Sequence, residues 1–405
     1  MSDEDEDAGE RASALPIPLL RPERAEPEED GDRSTALPIP LVRPEAGEVA
    51  RVAARVEPAP ALLRVRDLTV TFTAEGERLR VLDRVSFEVP KGRTVALVGE
   101  SGSGKTMTAL SVLRLLPALG AIEGGAIELG GEDLLALSER EMRGVRGGKV
   151  AMVFQEPMTS LNPVYTVGAQ IVEAIRLHRR ASRAEARRQA EAWLRKVGLA
   201  EPERRFDSYP HELSGGMRQR VMIAMALAPG PSLLIADEPT TALDMTTQAQ
   251  ILELLGALRA ELGMSLLLIA HDLALVSEIA DEIVVLYGGV VVERGPARQV
   301  LAAPSHPYTR ALLRSLPPTG AGAFRVRGQR GRRLPTLAGA PPDLRAPPPG
   351  CRFQDRCPDV FDRCRAEAPE LLPVGASGGG AQQARCFLAT PEAGRKPRPR
   401  GGGAA

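Results

Sequence analysis

Apolar and polar residues alternate along two neighbouring segments, 63–72 and 79–89. This alternation is typical of β-strands with one buried face, and residues 74–77 between them suit a turn. Other short runs are apolar throughout, which predicts strands buried on both faces. These runs lie at 94–98, 150–154, 233–236 and 265–270.

The segments between these strands show either helical periodicity of apolar residues or glycines typical of turns. Val167, Ile171 and Ile175 recur at helical spacing. We predict helices at 105–115, 167–200 and 218–228, and hairpins at 124–131 and 283–293. Strands and helices alternate through 90–290, which predicts an α/β fold with a mainly parallel sheet covered on both faces. About 85 residues, 130–213, form a mostly helical insert in this reading.

The first 61 residues have a different composition from the rest of the chain. They are acidic and rich in proline, and we expect a disordered tail because they cannot bury enough apolar surface to fold alone. Residues 13–23 recur almost unchanged as 35–45. The repeat is either a duplicated linker or a pair of extended docking motifs, since proline presets an extended backbone. We expect a second disordered tail at 391–405.

Overall charge and hydropathy exclude several classes of protein. The 52 lysines and arginines balance 52 aspartates and glutamates, so charge gives no case for a nucleic-acid partner. No run of 18 apolar residues is present, so no segment is expected to span a membrane. The acidic N-terminus is the opposite of a signal peptide, and we therefore expect a cytoplasmic location.

The strongest chemical signal is Gly99-x-x-x-x-Gly104-Lys105-Thr106, directly after the strand at 94–98. Its glycines turn backbone N–H groups inward, and the following helix adds its positive N-terminus, so that the loop forms an anion site. Lys105 would reach the β- and γ-phosphates, and Thr106 would bind Mg²⁺. The alternative is a glycine-rich turn before a helix. The expected nucleotide-binding residues are Gly99, Glu100, Ser101, Gly102, Ser103, Gly104, Lys105, Thr106 and Met107.

Carboxylates and a histidine follow two of the apolar strands. Asp237 would hold the Mg²⁺ shell, and Glu238 would orient or deprotonate an attacking water. His271 follows the strand at 265–270 and is either a γ-phosphate contact or a structural histidine.

Two other features are candidates for nucleotide contacts. Ser214, Gly215 and Gly216 open the helix at 218–228 and form either a second phosphate-facing loop or only a capped helix start. Phe72 ends its strand and either stacks on adenine or is an ordinary sheet residue.

Taken in chain order, these residues resemble the ATPase subunit of an ABC transporter over about 62–317. The resemblance rests on the phosphate loop, Gln155, Leu213-Ser-Gly-Gly-Met217, Asp237-Glu238, Thr241-Ala-Leu-Asp244 and His271. It implies a P-loop NTPase fold of ABC type with an antiparallel β subdomain, and ATP with Mg²⁺ as ligands.

In that family two ATPase subunits close head to tail around ATP. The resemblance implies that Ser214 and Gly216 touch the γ-phosphate held by a second ATPase subunit. It likewise makes Gln155 a sensor of Mg²⁺ and of the transmembrane partner, and it puts Asp244 at the dimer interface. His271 would contact the γ-phosphate.

Three stretches are similar to the branch that imports dipeptides, oligopeptides or nickel. They are 154–163, 213–227 with Met217 in place of the commoner glutamine, and the tail from 306 to about 388. We therefore expect a C-terminal extension of this type at 318–390. The resemblance implies two transmembrane permease subunits, an external solute-binding protein and a location at the cytoplasmic side of the inner membrane.

The chain has four cysteines, and all follow position 350. They are Cys351, Cys357, Cys364 and Cys386. Four sulfurs suit a zinc ion or a four-iron cluster, although the usual close pairs are missing and free thiols are an alternative. Some importers of the resembled branch carry a [4Fe–4S] cluster, which the resemblance favours over zinc.

The function expected is ATP hydrolysis that drives peptide import through separate permeases. Nickel or another solute, an exporter, and a soluble ABC ATPase acting on DNA or ribosomes are the alternatives. A regulatory subunit without turnover is disfavoured by the presence of Lys105, Glu238 and His271.

Overall fold

The computed structural model describes residues 60–74, 76–155, 160–241, 243–271, 273–315, 337–374 and 381–389. Residues 1–59, which contain the acidic repeat, and the tail expected at 391–405 lie outside these ranges. Within these ranges, no helix is both long enough and apolar enough to cross a lipid bilayer.

Strands and helices alternate through most of the described chain. The strands are β1 (Ala61–Ala74), β2 (Glu77–Pro90), β3 (Thr94–Val98), β4 (Gly120–Leu129), β5 (Glu132–Asp133), β6 (Val150–Val153), β7 (Leu233–Asp237), β8 (Ser265–Ala270), β9 (Glu282–Tyr287), β10 (Val290–Pro296), β11 (Leu372–Pro373) and β12 (Gln383–Ala384). The α-helices are α1 (Lys105–Val112), α2 (Glu139–Val145), α3 (Val167–His178), α4 (Arg183–Lys196), α5 (Pro202–Phe206), α6 (Gly215–Leu227), α7 (Met245–Leu262), α8 (Leu273–Ile279), α9 (Ala297–Ala302), α10 (Pro307–Arg314) and α11 (Asp362–Ala366). Short 3₁₀ helices cover Pro210–Glu212 and Gln354–Arg356.

The strands form two sheets. The smaller sheet is antiparallel, in the order β2-β1-β4-β5. The larger sheet has the order β11-β12-β10-β9-β3-β8-β7-β6, and its five strands from β9 to β6 run parallel. Since parallel strands end at a common edge, residues that follow β3, β6, β7 and β8 are brought close together.

The central strands are apolar throughout because both faces of the parallel sheet are covered. Along β3, Val95 and Leu97 pack with the core of the smaller sheet and α1. Their neighbours Ala96 and Val98 pack on the opposite face, against a core built largely by α3, α4, α6 and α7. This two-sided burial is the arrangement that the fully apolar runs predict.

Two local predictions differ from the structure. The hairpin expected at 124–131 is instead a single long strand, β4, whose turn comes at Gly130 and Gly131. Gly125 has a φ of 98° and lies at a register shift between β1 and β4, so the paired glycines mark a bulge rather than a turn. The helix expected over 167–200 is broken after α3, and Ser182 caps the start of α4.

The range 130–213, expected to be mostly helical, contains the strand predicted at 150–154, which is β6 of the larger sheet. β6 pairs in parallel with β7, and helices α3 to α5 follow it before the chain returns to that sheet. The C-terminal extension joins the same sheet at its other edge. Glu293 of β10 pairs with Ala384 of β12, so the extension continues the sheet.

Candidate functional site

The phosphate loop turns sharply between β3 and α1. Gly102 and Gly104 have φ values of 78° and 105°, in the region that favours glycine. A Cβ on Gly104 would lie 2.5 Å from Leu82 Cδ2. Helix α1 begins at Lys105 with no side-chain cap and no acidic residue in its first turn. Its positive N-terminus therefore points at the loop with no competing acceptor from its own cap.

Lys105 is buried within this loop. Its Nζ donates to the carbonyl oxygens of Gly99 at 2.8 Å and Glu100 at 3.1 Å. The same Nζ lies 4.0 Å from Glu238 Oε1. Burial lowers the pKa of Lys105, and the nearby carboxylates of Glu238 and Asp237 oppose that shift. The ammonium group is thus held at the loop by the loop's own carbonyl oxygens.

Thr106 and Asp237 form a pair of oxygen donors beside the loop. The Thr106 hydroxyl donates to Asp237 Oδ1 at 3.3 Å. Asp237 is buried at the end of β7, and burial raises the pKa of its carboxyl against the effect of the Thr106 hydrogen bond. Hydroxyl and carboxylate oxygens are the ligands that Mg²⁺ prefers, so this pair fits a magnesium ion bound with substrate phosphates.

Glu238 lies at the centre of a second set of contacts. Gln155 donates from Nε2 to Glu238 Oε2 at 3.0 Å, and the Thr241 hydroxyl donates to the same oxygen at 3.1 Å. His271 Nδ1 is 3.5 Å from this oxygen, while the imidazole remains largely exposed. Gln155, Glu238 and His271, which the sequence analysis expected around Mg²⁺ and the γ-phosphate, therefore meet at the carboxyl edge of the parallel strands.

Glu238 has an unusual backbone conformation. Its φ is 46°, the left-handed region that side-chain-bearing residues seldom adopt. Its N–H donates to Ile269 O at 3.0 Å, which keeps the chain attached to β8 beyond the end of β7. Such conformations cost roughly 1–3 kcal/mol and are concentrated at functional sites.

The residues of the second glycine loop form a separate cluster. The Ser214 hydroxyl caps α6, which begins at Gly215. A Cβ on Gly216 would lie 2.9 Å from Thr247 Cγ2, so α6 and α7 approach closely here. Asp244 caps α7 by accepting from Thr247 N–H at 3.0 Å and from the Thr247 hydroxyl at 2.7 Å. These contacts join the starts of α6 and α7 to each other.

The remaining candidates are placed as follows. Phe72 is partly buried, and a Cβ on Gly120 would lie 2.8 Å from its ring, so it packs along β4. Ser101 is exposed, Ser103 is buried, and Met107 packs partly buried against the core of the smaller sheet. Their contacts with a nucleotide stay predictions.

Two residues of the C-terminal part of the chain reach the phosphate loop and were not predicted. The Tyr308 hydroxyl accepts from the N–H of Glu100 at 2.8 Å. Arg356 donates to both carboxylate oxygens of Glu100, at 2.7 and 3.1 Å. The stretch that begins at His306 was the signal that the sequence offered for these contacts. That stretch did not indicate which loop its residues would contact.

The chain was compared with known families and proteins. A family model described as ABC transporter matches residues 82–241, and one described as the C-terminal region of oligopeptide/dipeptide transporters matches 292–364. A probable peptide ABC transporter ATP-binding protein, y4tR of Sinorhizobium fredii, is 52% identical over 317 residues, covering 78% of this chain and 92% of the relative. The dipeptide transport ATP-binding protein DppD of Escherichia coli is 49% identical over 335 residues, covering 83% and 99%.

The chain belongs to the ABC transporter ATP-binding proteins. The activity of this ABC protein is therefore that of an ATPase, with ATP and Mg²⁺ as its ligands. The resemblance inferred from the motifs and the expected activity are both confirmed.

Solved structures confirm the ABC-type fold. The ATP-binding cassette MJ0796, solved as a dimer in a post-hydrolysis state with ADP and Pi, has a TM-score of 0.53 at 29% identity, covering 58% of this chain and 99% of that one. The cbiO1 protein of Clostridium perfringens, part of the transporter complex cbiONQ, has a TM-score of 0.53 at 25% identity, covering 60% and 91%.

The four cysteines of this ABC protein line a single small cavity in the extension, together with His306 and Phe353. Burial raises the pKa of Cys357 to about 12 and that of Cys386 to about 11. Over the described ranges, no three His, Cys, Asp or Glu side chains are arranged to hold a metal ion.

Proposed function

We propose that this chain is the ATP-hydrolysing subunit of an importer for peptides of the dipeptide or oligopeptide class. The observation that carries the catalytic part is the convergence of Lys105, Asp237 and Glu238 on one edge of the sheet. The peptide part is supported by the match of 292–364 to the C-terminal region of oligopeptide/dipeptide transporters. It is further supported by relatives named for peptide and dipeptide transport.

The residues divide the chemistry among them. The phosphate loop and Lys105 would bind the β- and γ-phosphates, and Lys105 would offset charge that develops on the γ-phosphoryl oxygens. Thr106 and Asp237 would hold Mg²⁺, with Gln155 as a further contact; the bound ion would supply charge neutralisation at the phosphates.

Glu238 would accept a proton from, or orient, the water that attacks the γ-phosphorus in line with the leaving group. The hydrogen bonds from Gln155 and Thr241 and the nearby His271 hold its carboxylate at the edge of the sheet. Because these contacts restrict the orientation of the carboxylate, the base is already positioned to accept the proton. His271, exposed beside it, would contact the γ-phosphate.

The second glycine loop would act on a nucleotide bound by another ATPase subunit. Ser214 and Gly216 lie with Asp244 at the joined starts of α6 and α7, and their described contacts are with that cluster. We propose that this face closes on the phosphate loop of a second ABC subunit, in a homo- or heterodimer. The dimer would bind two permease subunits on the cytoplasmic side of the inner membrane, and it would act with an external solute-binding protein.

The extension is proposed to hold a [4Fe–4S] cluster on Cys351, Cys357, Cys364 and Cys386. Four thiols around one cavity are a suitable donor set, because four-iron clusters are held by four cysteine thiolates. The cluster would supply a covalent crosslink between the segments that carry the thiols. Protein purified without oxygen should be brown and contain iron, and the variant Cys364→Ser should lose both; colourless, iron-free wild-type protein would contradict the assignment.

Substitution of Glu238 tests the proposed catalytic role. In the complex with its membrane partners, Glu238→Gln should still bind MgATP but hydrolyse it roughly 100-fold more slowly, because general-base catalysis contributes about that factor. The matched control is Glu253→Gln, an exposed carboxylate on α7 whose loss should leave the rate unchanged. Parental hydrolysis by Glu238→Gln would show that another group is the base. Uptake of a labelled dipeptide by cells carrying each variant tests the cargo class.

A further inference from the structure

Tyr308 of α10 and Arg356 of the C-terminal extension both contact Glu100 of the phosphate loop. Tyr308 accepts from the Glu100 N–H, and Arg356 binds the Glu100 carboxylate with both terminal nitrogens. The loop residue is therefore fixed through its backbone and through its side chain by segments that lie 208 and 256 positions further along the chain. A phosphate loop needs only its own glycines and lysine to bind an anion, so these two contacts are additional to its basic design.

The guanidinium of Arg356 has a partner for every N–H group. Besides the two bonds to Glu100, Nη1 donates to the Tyr287 hydroxyl at 3.3 Å, Nη2 to Leu337 O at 3.2 Å and Nε to Ala338 O at 3.0 Å. A guanidinium has five N–H donors, and all five are used. The side chain is 5% exposed, so this pair is unlike a surface ion pair, which contributes little.

The elements on each side of Arg356 are also well packed. It ends the 3₁₀ helix Gln354–Arg356, which follows Phe353, a fully buried ring. Phe353 meets Tyr287 edge-on with ring centroids 5.2 Å apart, and Tyr287 packs against Tyr308 at 4.5 Å. The aromatic cluster thus links the end of β9 to α10 and to the turn that presents Arg356.

The charge of Glu100 explains why the loop would need this partner. Its carboxylate is close enough to Lys105 to act on that ammonium group electrostatically. An unpaired carboxylate at this position would repel the triphosphate that the same loop binds. Arg356 neutralises it with a bidentate pair, and bidentate pairs also fix orientation.

We propose that Arg356 is a positioning residue for the phosphate loop: it holds and neutralises Glu100, and through it the cysteine-containing extension sets the affinity for MgATP. The proposal rests on the proposed nucleotide-binding function of Lys105 and its loop. Arg356 itself would touch neither the nucleotide nor Mg²⁺.

The test is equilibrium binding of MgATP to the purified full chain, measured by calorimetry. Arg356→Ala should raise Kd roughly tenfold, the ratio typical of losing a hydrogen-bonded charged partner. Glu100→Gln alone should lower Kd two- to threefold, because it removes a negative charge near the phosphates. The double variant Arg356→Ala/Glu100→Gln should recover most of the loss, because no carboxylate is left unpaired.

Two further variants make the test decisive. Arg356→Lys keeps the positive charge but not the planar guanidinium that binds the carboxylate with two nitrogens. It should retain the packing of the turn and give an intermediate Kd. Arg345→Ala is the matched control, since Arg345 is an exposed arginine of the same extension that pairs with Asp343 and not with the phosphate loop among the described residues.

The outcomes separate this inference from the proposed function. Wild-type affinity in Arg356→Ala would overturn it, and so would a double variant as weak as Arg356→Ala, which would mean that packing alone is at work. If Lys105→Ala binds MgATP as wild type does, the proposed function fails instead.

Discussion

At the residue scale, several side chains of the site are held in positions that lower the stability of the fold. Glu238 keeps a left-handed backbone that costs roughly 1–3 kcal/mol, and the surrounding hydrogen bonds from Gln155 and Thr241 hold its side chain in place. Lys105 and Asp237 are both buried close to the loop. Burial lowers the pKa of Lys105 and raises the pKa of Asp237, which in each case favours the neutral form. The site is arranged for a ligand that carries charge of both signs, as a magnesium–triphosphate complex does.

A pair of helical glycines tests packing at the residue scale. A Cβ on Gly168 would lie 2.4 Å from the Phe206 ring, whereas one on Gly256 would meet its nearest atom, Ile279 Cγ2, at 3.7 Å. Gly168→Ala should therefore lower the free energy of unfolding by about 1–3 kcal/mol through overpacking. Gly256→Ala should raise it by up to about 1 kcal/mol, because alanine favours the helix.

Urea denaturation of the full chain measures both glycine variants. Equal stability of Gly168→Ala and wild type would mean that α5 moves away from α3 without cost. A destabilised Gly256→Ala would mean that α7 has less room beside α8 than its contacts indicate.

At the scale of elements, the sequence predicted the buried strands better than it predicted the turns. The fully apolar runs gave β3, β6, β7 and β8 with nearly correct bounds, because burial on both faces of a parallel sheet demands such runs. The glycines at 124–125 were predicted to open a hairpin, but at Gly125 the close approach of the Arg66 and Asp67 carbonyls explains the need for glycine. That approach depends on pairing with β1, which lies far away along the chain, so local sequence could not reveal it.

At the scale of the molecule, motif order was enough to identify the family, and the site residues came from the ends of predicted strands. The role of the extension could not be predicted in the same way. Arg356 contacts Glu100 from a 3₁₀ turn that packs beside the aromatic cluster of Phe353, Tyr287 and Tyr308, and no pattern in the sequence indicates a contact over 256 positions. The extension is therefore part of the site's framework and more than an appended module.

The central claim is that a nucleoside triphosphate is bound by the loop around Lys105. Equilibrium binding of MgATP to the full chain tests it most directly, with Lys149→Ala, an exposed lysine paired with Glu132, as the matched control. We expect saturable binding by wild type and by the control, and binding roughly 10- to 100-fold weaker in Lys105→Ala, as the loss of a charged hydrogen-bonding group predicts. Binding by Lys105→Ala that equals wild type would contradict the account.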